Sequence, residues 1–258
     1  MENLLEQVKA VVVSAGAALH DQYTDTARPT TKAEMGAVGK RLDDLVSGIL
    51  RPALAEIRPE ARWVGDDEEM AELPPGEWWA VDPIEGGVNF VHGTDQWAVT
   101  VTLLRDNTPV LAVVHQPVGF RTWTAVRGGG AFLDGRPLTV SAKTEVDAAV
   151  VAMTQPRTRN RDFGDAVAAL LDEVLLIRST VPSTFPQLDV AEGHVDAYWQ
   201  YECDLVGVAA GVLLVTEAGG VVTDLRGEPW RPGHADVLAA APGVHKGLLA
   251  LLGTGDGR

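Results

Sequence analysis

Cysteine is almost absent from this chain. Cys203 is the one example in 258 residues, which excludes an internal disulfide and a thiolate zinc site and fits a reducing compartment. No uncharged apolar run approaches the roughly 18 residues of a membrane-spanning helix. The opening residues, Met1-Glu2-Asn3-Leu4-Leu5-Glu6, lack the basic start and apolar centre of a signal peptide, so a cytoplasmic location is expected. Basic residues are scarce: 21 Lys and Arg stand against 36 Asp and Glu, giving a net charge of −15. That balance argues against nucleic acid or an anionic membrane as partner and is read here as solubility. Internal repeats and low-complexity segments are also missing.

What is present suits a soluble globular protein. Hydrophobic residues make up 46% and charged residues 22% of a chain long enough for one large domain or two closely packed halves. Leu4, Leu5, Val8, Val11, Val12 and Ala15 recur at helical spacing, which predicts a helix over about 3–22. A second helix is predicted over about 36–57, kinked or interrupted at Pro52. Short strands follow at Glu77 to Val81, Trp97 to Leu104, Val110 to Gln116, Thr122 to Val126 and Ala131 to Leu133. Asp106-Asn107 and Asp134-Gly135 between them signal antiparallel hairpins. After about residue 146 strands and helices alternate, with strands at 148–153, 174–179, 197–200 and 237–240. Helices are expected at 162–173, 185–192, 205–218, where Gly219-Gly220 ends the run, and 244–252. The expected architecture is a layered α+β sandwich with an N-terminal half over 1–146 and a C-terminal half over 147–258, packed as one unit. Residues 253–258 are expected to fray.

The most informative stretch is Trp79-Ala80-Val81-Asp82-Pro83-Ile84-Glu85-Gly86-Gly87-Val88-Asn89-Phe90. An apolar strand stops at an acid and a proline, then a second acid and two glycines precede the next element. This projects carboxylates and bare amides from a strand end into one small space, as sites for hard cations or anions do. Asp66 and Asp67, after Val64-Gly65, should join Asp82 and Glu85 there. In the absence of a cation, like charges would raise at least one of their pKa values and create a general acid–base pair. The amides of Gly86, Gly87 and Val88 are candidate holders of an oxyanion or phosphate.

This signature resembles that of the inositol monophosphatase superfamily, Asp-Pro-Ile/Leu-Asp-Gly-Thr/Ser followed by Asn-Phe. Further segments extend the resemblance along nearly the whole chain. Val64-Gly65-Asp66-Asp67 is similar to a Gly-Glu-Glu/Ser strand end. Phe132-Leu133-Asp134-Gly135, Ala191-Glu192-Gly193-His194-Val195-Asp196-Ala197-Tyr198 and Ala209 to Gly220 resemble the later family segments. The resemblance implies an αβαβα sandwich, a homodimer, and Mg²⁺-dependent hydrolysis of a phosphate monoester. It places Asp66, Asp82, the Ile84 carbonyl and Glu85 in metal-binding positions. A water-orienting acid belongs on the second helix, with Asp43 and Asp44 as candidates.

Several positions depart from the family pattern. Glu85 replaces Asp and Asp66 replaces Glu, and Mg²⁺ tolerates such changes in reach poorly. Gly87 lacks the family hydroxyl. Gly207 stands where a metal-binding Asp is expected, and Asp204, one turn earlier, reads as the N-cap of the long helix. Gln200 falls near the family's substrate-hydroxyl contact, while Glu202 and Asp204 are further candidates to line the pocket. His92 is expected to pack in its loop, His115 to be a satisfied strand-end histidine, and Cys203 to be no nucleophile. Trp78, Trp97, Trp123, Trp199 and Trp230 read as core.

These departures point to a repurposed enzyme of small-molecule or secondary metabolism. It would use its carboxylates for metal-independent acid–base chemistry on a small polar metabolite: an elimination, isomerisation or cyclisation. No cofactor is expected, with Mg²⁺ admitted at reduced affinity. Two alternatives stand beside this one: a surviving Mg²⁺-dependent phosphomonoesterase acting on inositol or sugar phosphates, and an inactive pseudophosphatase with a binding role.

Overall fold

A computed structural model describes residues 1–26, 28–65, 71–156, 158 and 161–253. In chain order the N-terminal elements are α1 (Glu2–His20), α2 (Lys32–Ile57), β1 (Arg62–Trp63), β2 (Glu77–Glu85), α3 (Gly87–Val91), β3 (Ala98–Arg105), β4 (Thr108–Gln116), β5 (Arg121–Val126), β6 (Gly130–Leu133) and β7 (Arg136–Pro137). Then come β8 (Val150–Met153), α4 (Arg161–Glu173), β9 (Leu176–Ser179), α5 (Thr184–Ala191), β10 (Ala197–Tyr201), α6 (Leu205–Glu217), β11 (Val221–Thr223), β12 (Asp236–Ala240) and α7 (Pro242–Leu252). The strands form a seven-stranded sheet in the order β1 to β7 and a five-stranded sheet ordered β11-β12-β10-β8-β9.

Strand alternation sorts the large sheet's side chains into two layers. Trp79, Val81, Val99, Val101 and Val113 join Val8, Val12, Leu42 and Val46 under the α1–α2 pair. Trp78, Ala80, Ala112 and Val114 point the other way, into a core shared with α5 and α6. The far face of the small sheet packs Val151, Trp199 and Leu238 against Leu170 of α4 and Val244 and Leu248 of α7. The result is the expected αβαβα layering. All five tryptophans assigned to the core are buried. No helix among the described residues is long and apolar enough to cross a membrane.

Helix α6 is buried nearly all round because it lies between the two sheets, which explains its lack of an amphipathic stripe. It approaches α5 closely at Gly211, where a Cβ would stand 2.4 Å from the Gln187 side chain. At its C-terminal end Glu217 accepts hydrogen bonds from the amides of Gly128 (2.8 Å) and Gly130 (2.9 Å) in the β5–β6 hairpin.

Two expectations fail locally. Helix α2 runs through Pro52 without interruption. Leu42, Val46, Leu50 and Leu54 form one buried stripe spanning the proline, and the carbonyl it deprives of a partner belongs to solvent-exposed Gly48. Strand β2 does not stop at Asp82 but continues to Glu85 through a register shift. Pro83 is tolerated there because a bulge needs no ladder donor. The expected hairpins do form: Asp106 and Asn107 have φ of 48° and 60°, Asp134 and Gly135 49° and 81°, the left-handed pairs of tight two-residue turns. The short β1, β7, β11 and α3 carry too few residues to leave a periodic signal. Of the tail expected to fray, residues 254–258 lie outside the described residues.

Candidate functional site

The bulge at the end of β2 opens into a cleft of about 490 Å³. Its floor is Asp82, Pro83, Glu85, Gly86 and Gly87, and α2 contributes Asp43, Ser47 and Arg51. The start of α6 adds Asp204 and Gly207, and the segment before α5 adds Val181, Pro182 and Ser183. Four elements therefore bring acids or amides to one place. Gly86 has φ of 87° and its Cβ would lie 2.6 Å from the Gln96 carbonyl, so glycine is required where the chain turns into α3. Asn89 holds this turn by donating to the carbonyls of Gln96 and Val181, both at 2.8 Å.

Asp82 and Glu85 are hydrogen-bonded to one another. Asp82 Oδ1 also accepts from the Ile84 amide at 3.0 Å. Glu85 is buried, with Oε1 accepting from the Thr184 amide at 2.9 Å. Its extra methylene thus has a use: the carboxylate reaches the first amide of α5, which none of that helix's own side chains caps. Thr184 Oγ1 in turn donates to the Gly207 carbonyl at 3.1 Å, and Gly207 N–H donates to Asp204 Oδ1 at 2.8 Å. A single chain of contacts links both acids of the signature to the N-terminus of α6.

Burial raises the pKa of Asp82, aided by repulsion from Asp204 and Asp43 and opposed by its hydrogen bonds to Glu85 and the Ile84 amide. Burial and the adjoining Asp82 push Glu85 well above the usual carboxylate range. Among the described residues Arg51 is the one cationic side chain in the wall, and its guanidinium lies 4.3 Å from the Trp63 ring centre.

The predicted site residues divide into those the cleft gathers and those it does not. Asp82, Glu85, Gly86, Gly87, Val88 and Asp204 line it. Asp66 and Asp67 lie outside the described residues. Ile84 does not form part of the wall; its side chain packs toward the α1–α2 layer because alternation turns it away. Gln200 is buried in β10, its amide oxygen accepting from Tyr198 Oη. Glu202 accepts from the Thr158 amide at 3.0 Å and also binds the Thr158 hydroxyl. Neither Gln200 nor Glu202 borders the cleft.

Asp43 lines the cleft, whereas Asp44 faces solvent and pairs with Lys40 at 3.0 Å. Asp204 is the N-cap, as expected, and lies in the cleft as well. His115 is satisfied by Thr122 Oγ1 at 2.9 Å. His92 is exposed at the end of α3 and does not pack in its loop, since the short helix turns it outward. Burial pushes the Cys203 thiol up to about 12, which leaves no thiolate nucleophile at neutral pH. Ser47, Arg51, Trp63 and the Val181–Ser183 wall went unrecognised. Asp43, Ser47 and Arg51 stand four residues apart, a polar stripe beside the apolar one that was readable from spacing.

The carboxylates test for a hard cation through their donor chemistry. Every candidate ligand is an oxygen, Glu85 is buried and Asp82 half-buried, and among the described residues of the wall no thiolate or imidazole competes. Among the described residues no three acidic, histidine or cysteine side chains converge closely enough to hold an ion alone. The set fits a divalent cation in kind, with further donors needed from water, substrate or residues outside those described.

Comparison with known proteins settles the lineage. Residues 1–253 match the inositol monophosphatase family. This chain belongs to that family. An inositol-1-monophosphatase from Rhizobium meliloti is 36% identical over 183 residues, 69% of each chain. The Nus factor SuhB of Pseudomonas aeruginosa is 33% identical over 181 residues, covering 67% of this chain and 66% of that one. Inositol monophosphatase from Anabaena superposes with a TM-score of 0.82 at 22% identity over 98% of this chain and 96% of its own, which speaks for the fold alone.

Proposed function

We propose that this protein is a divalent-cation-dependent phosphomonoesterase acting on a small phosphorylated metabolite of the inositol or sugar phosphate class. The observation that carries this reading is the meeting of Asp43, Asp82, Glu85 and Asp204 around one cleft, whose wall carries one cationic side chain among the described residues, Arg51. Carboxylate oxygens so gathered suit a hard divalent ion. Family membership and an inositol-1-monophosphatase relative at 36% identity favour hydrolysis over the repurposed chemistry expected from the sequence.

Asp82 and Glu85 would hold the cation, which when bound supplies charge neutralisation and a more acidic water. Asp43 faces the same space from α2 and accepts a proton from water directly, because Gly87 provides no intervening hydroxyl. The start of α3, from Gly86 to Val88, borders the place left for a phosphoryl group. Arg51, in the cleft wall, would serve as a counter-charge for an anionic substrate.

The test is phosphate release from inositol and sugar monophosphates with Mg²⁺, with and without chelator. Turnover should require Mg²⁺, and Asp82→Asn should lower kcat/KM by at least about 100-fold. Phosphate release equal in the wild type and Asp82→Asn would refute the proposal.

The hydrogen bond between Asp82 and Glu85, with both pKa values raised, favours a second reading. A protonated acid beside an ionised one is an acid–base pair able to work without metal on a small polar metabolite. Conversion of a non-phosphorylated metabolite that survives chelator but not Glu85→Gln would select it.

A further inference from the structure

We infer that Arg51 and Trp63 form a second anion seat in the cleft, so that the substrate carries another oxyanion, a phosphate or a carboxylate, besides the phosphoryl group that reacts. The inference rests on the phosphomonoesterase reading and narrows its substrate class. Arg51 and Trp63 both line the cleft, with the guanidinium carbon 4.3 Å from the ring centre. Arg62 lies over Trp78 in the same way at 4.0 Å, and Arg121 over Trp123 at 4.4 Å. Neither of those arginines borders the cleft. Each donates to a protein oxygen, Arg62 to the Pro75 carbonyl at 2.6 Å and Arg121 to Glu192 at 2.8 Å. Among the described residues no hydrogen bond or ion pair takes up the Arg51 guanidinium. An aromatic face holds a cation without supplying an acceptor, so the donor fork that grips a phosphate or carboxylate through two bonds is left for a ligand.

The backbone sets this seat apart from the acids. On α2, Arg51 follows Asp43 by eight residues, about 12 Å at helical rise. On the sheet, Trp63 is in register with Trp79, three residues before Asp82, which is about 10 Å along a strand. Trp63 is fixed there by its pairing with β2 and by packing against the α1–α2 layer, and the contact with its ring keeps the guanidinium at that end of the span. Ser47 stands four residues from both Asp43 and Arg51 on one face of α2 and borders the same cleft, offering a hydroxyl to the body of the substrate. A small metabolite with an anion toward each end uses the whole arrangement. One with a lone phosphate leaves the Arg51 fork idle.

The experiment compares kcat and KM in Mg²⁺ for three matched sugars, glucose 1-phosphate, glucose 1,6-bisphosphate and glucuronic acid 1-phosphate, on wild type, Arg51→Gln and Trp63→Leu. Wild type should prefer a doubly anionic sugar over glucose 1-phosphate by at least about 10-fold in kcat/KM, chiefly through KM. A lead for the bisphosphate identifies the second group as phosphate, and a lead for the uronic acid identifies it as carboxylate. Arg51→Gln should bring the preference below about 3-fold. Trp63→Leu keeps the charge but removes its shelf, and should reduce the preference in the same direction by less. Arg51 is exposed, so its variant should melt within about 2 °C of wild type. Equal kcat/KM for the three sugars in wild type, or a preference that Arg51→Gln leaves intact, overturns the inference while phosphate release continues and the phosphomonoesterase reading stands. No phosphate release from any of these sugars or from inositol monophosphate overturns both.

Discussion

Two groups of buried acids in this protein are treated in opposite ways. At the junction between the sheets, Asp196 receives Ser141 Oγ at 2.5 Å, Lys143 Nζ at 2.9 Å and the Val150 amide at 2.7 Å. Nearby Glu192 receives Arg121 at 2.8 Å and Trp123 Nε1 at 2.9 Å. Burial works against the charge of Asp196, yet Lys143, Ser141 and Val150 together hold its carboxyl below the ordinary aspartate value. In the cleft, burial of Asp82 and Glu85 is answered by other acids and raises both. Acids that serve the fold come with their donors. Asp82 and Glu85 take the backbone amides of Ile84 and Thr184 instead.

The largest effect should come from the junction. Asp196→Ala removes a buried acceptor from three donors and should cost about 3 kcal/mol, lowering the melting temperature by roughly 6–12 °C. A loss under about 1 °C would erase the distinction between the two groups. Glu85→Asp should cost less, about 1–2 kcal/mol, because the shorter acid leaves the buried Thr184 amide without its acceptor. A melting curve matching wild type would show that α5 needs no cap from β2.

The smallest effect has the opposite sign and depends on pH. Glu85 holds its proton more tightly folded than unfolded, so folding takes up a proton above the ordinary glutamate range. In chelator, stability from this group is full below the unfolded pKa and declines as pH rises through the folded one. Asp196 contributes the reverse, stability present above the ordinary aspartate range and lost toward acid. Glu85→Gln keeps an oxygen for Thr184 and should melt about 2 °C higher than wild type at pH 8, with no difference at pH 4. A gap of equal size at both pH values would tie the effect to packing instead of charge.

Much of this contrast was written in the sequence. The hairpin turns, the alternation of β2 to β4 and the long α6 follow from local chemistry, Asp82 and Glu85 border the cleft with the rest of their signature, and Asp204 caps α6 as its place before the helix predicts. Asp43 was confined to a pair with Asp44, since only the rotation of α2 decides which acid faces inward. Gln200 and Glu202 stay out of the cleft wall for a related reason: their places in the sequence said nothing about the partners, Tyr198 and Thr158, that claim them. The Val181–Ser183 wall left no trace because its part in the cleft comes from contact with Asn89, 92 residues away.

The grip of Glu217 on the Gly128 and Gly130 amides reaches beyond the hairpin it fastens. Helix α6 spans 13 residues, roughly 20 Å at helical rise, with Asp204 at one extremity and Glu217 at the other. Clamped at its tail, the helix is a strut whose head cannot slide. A lesion at Glu217 would loosen the strut and be registered a full helix length away, as a carboxylate that no longer keeps its station.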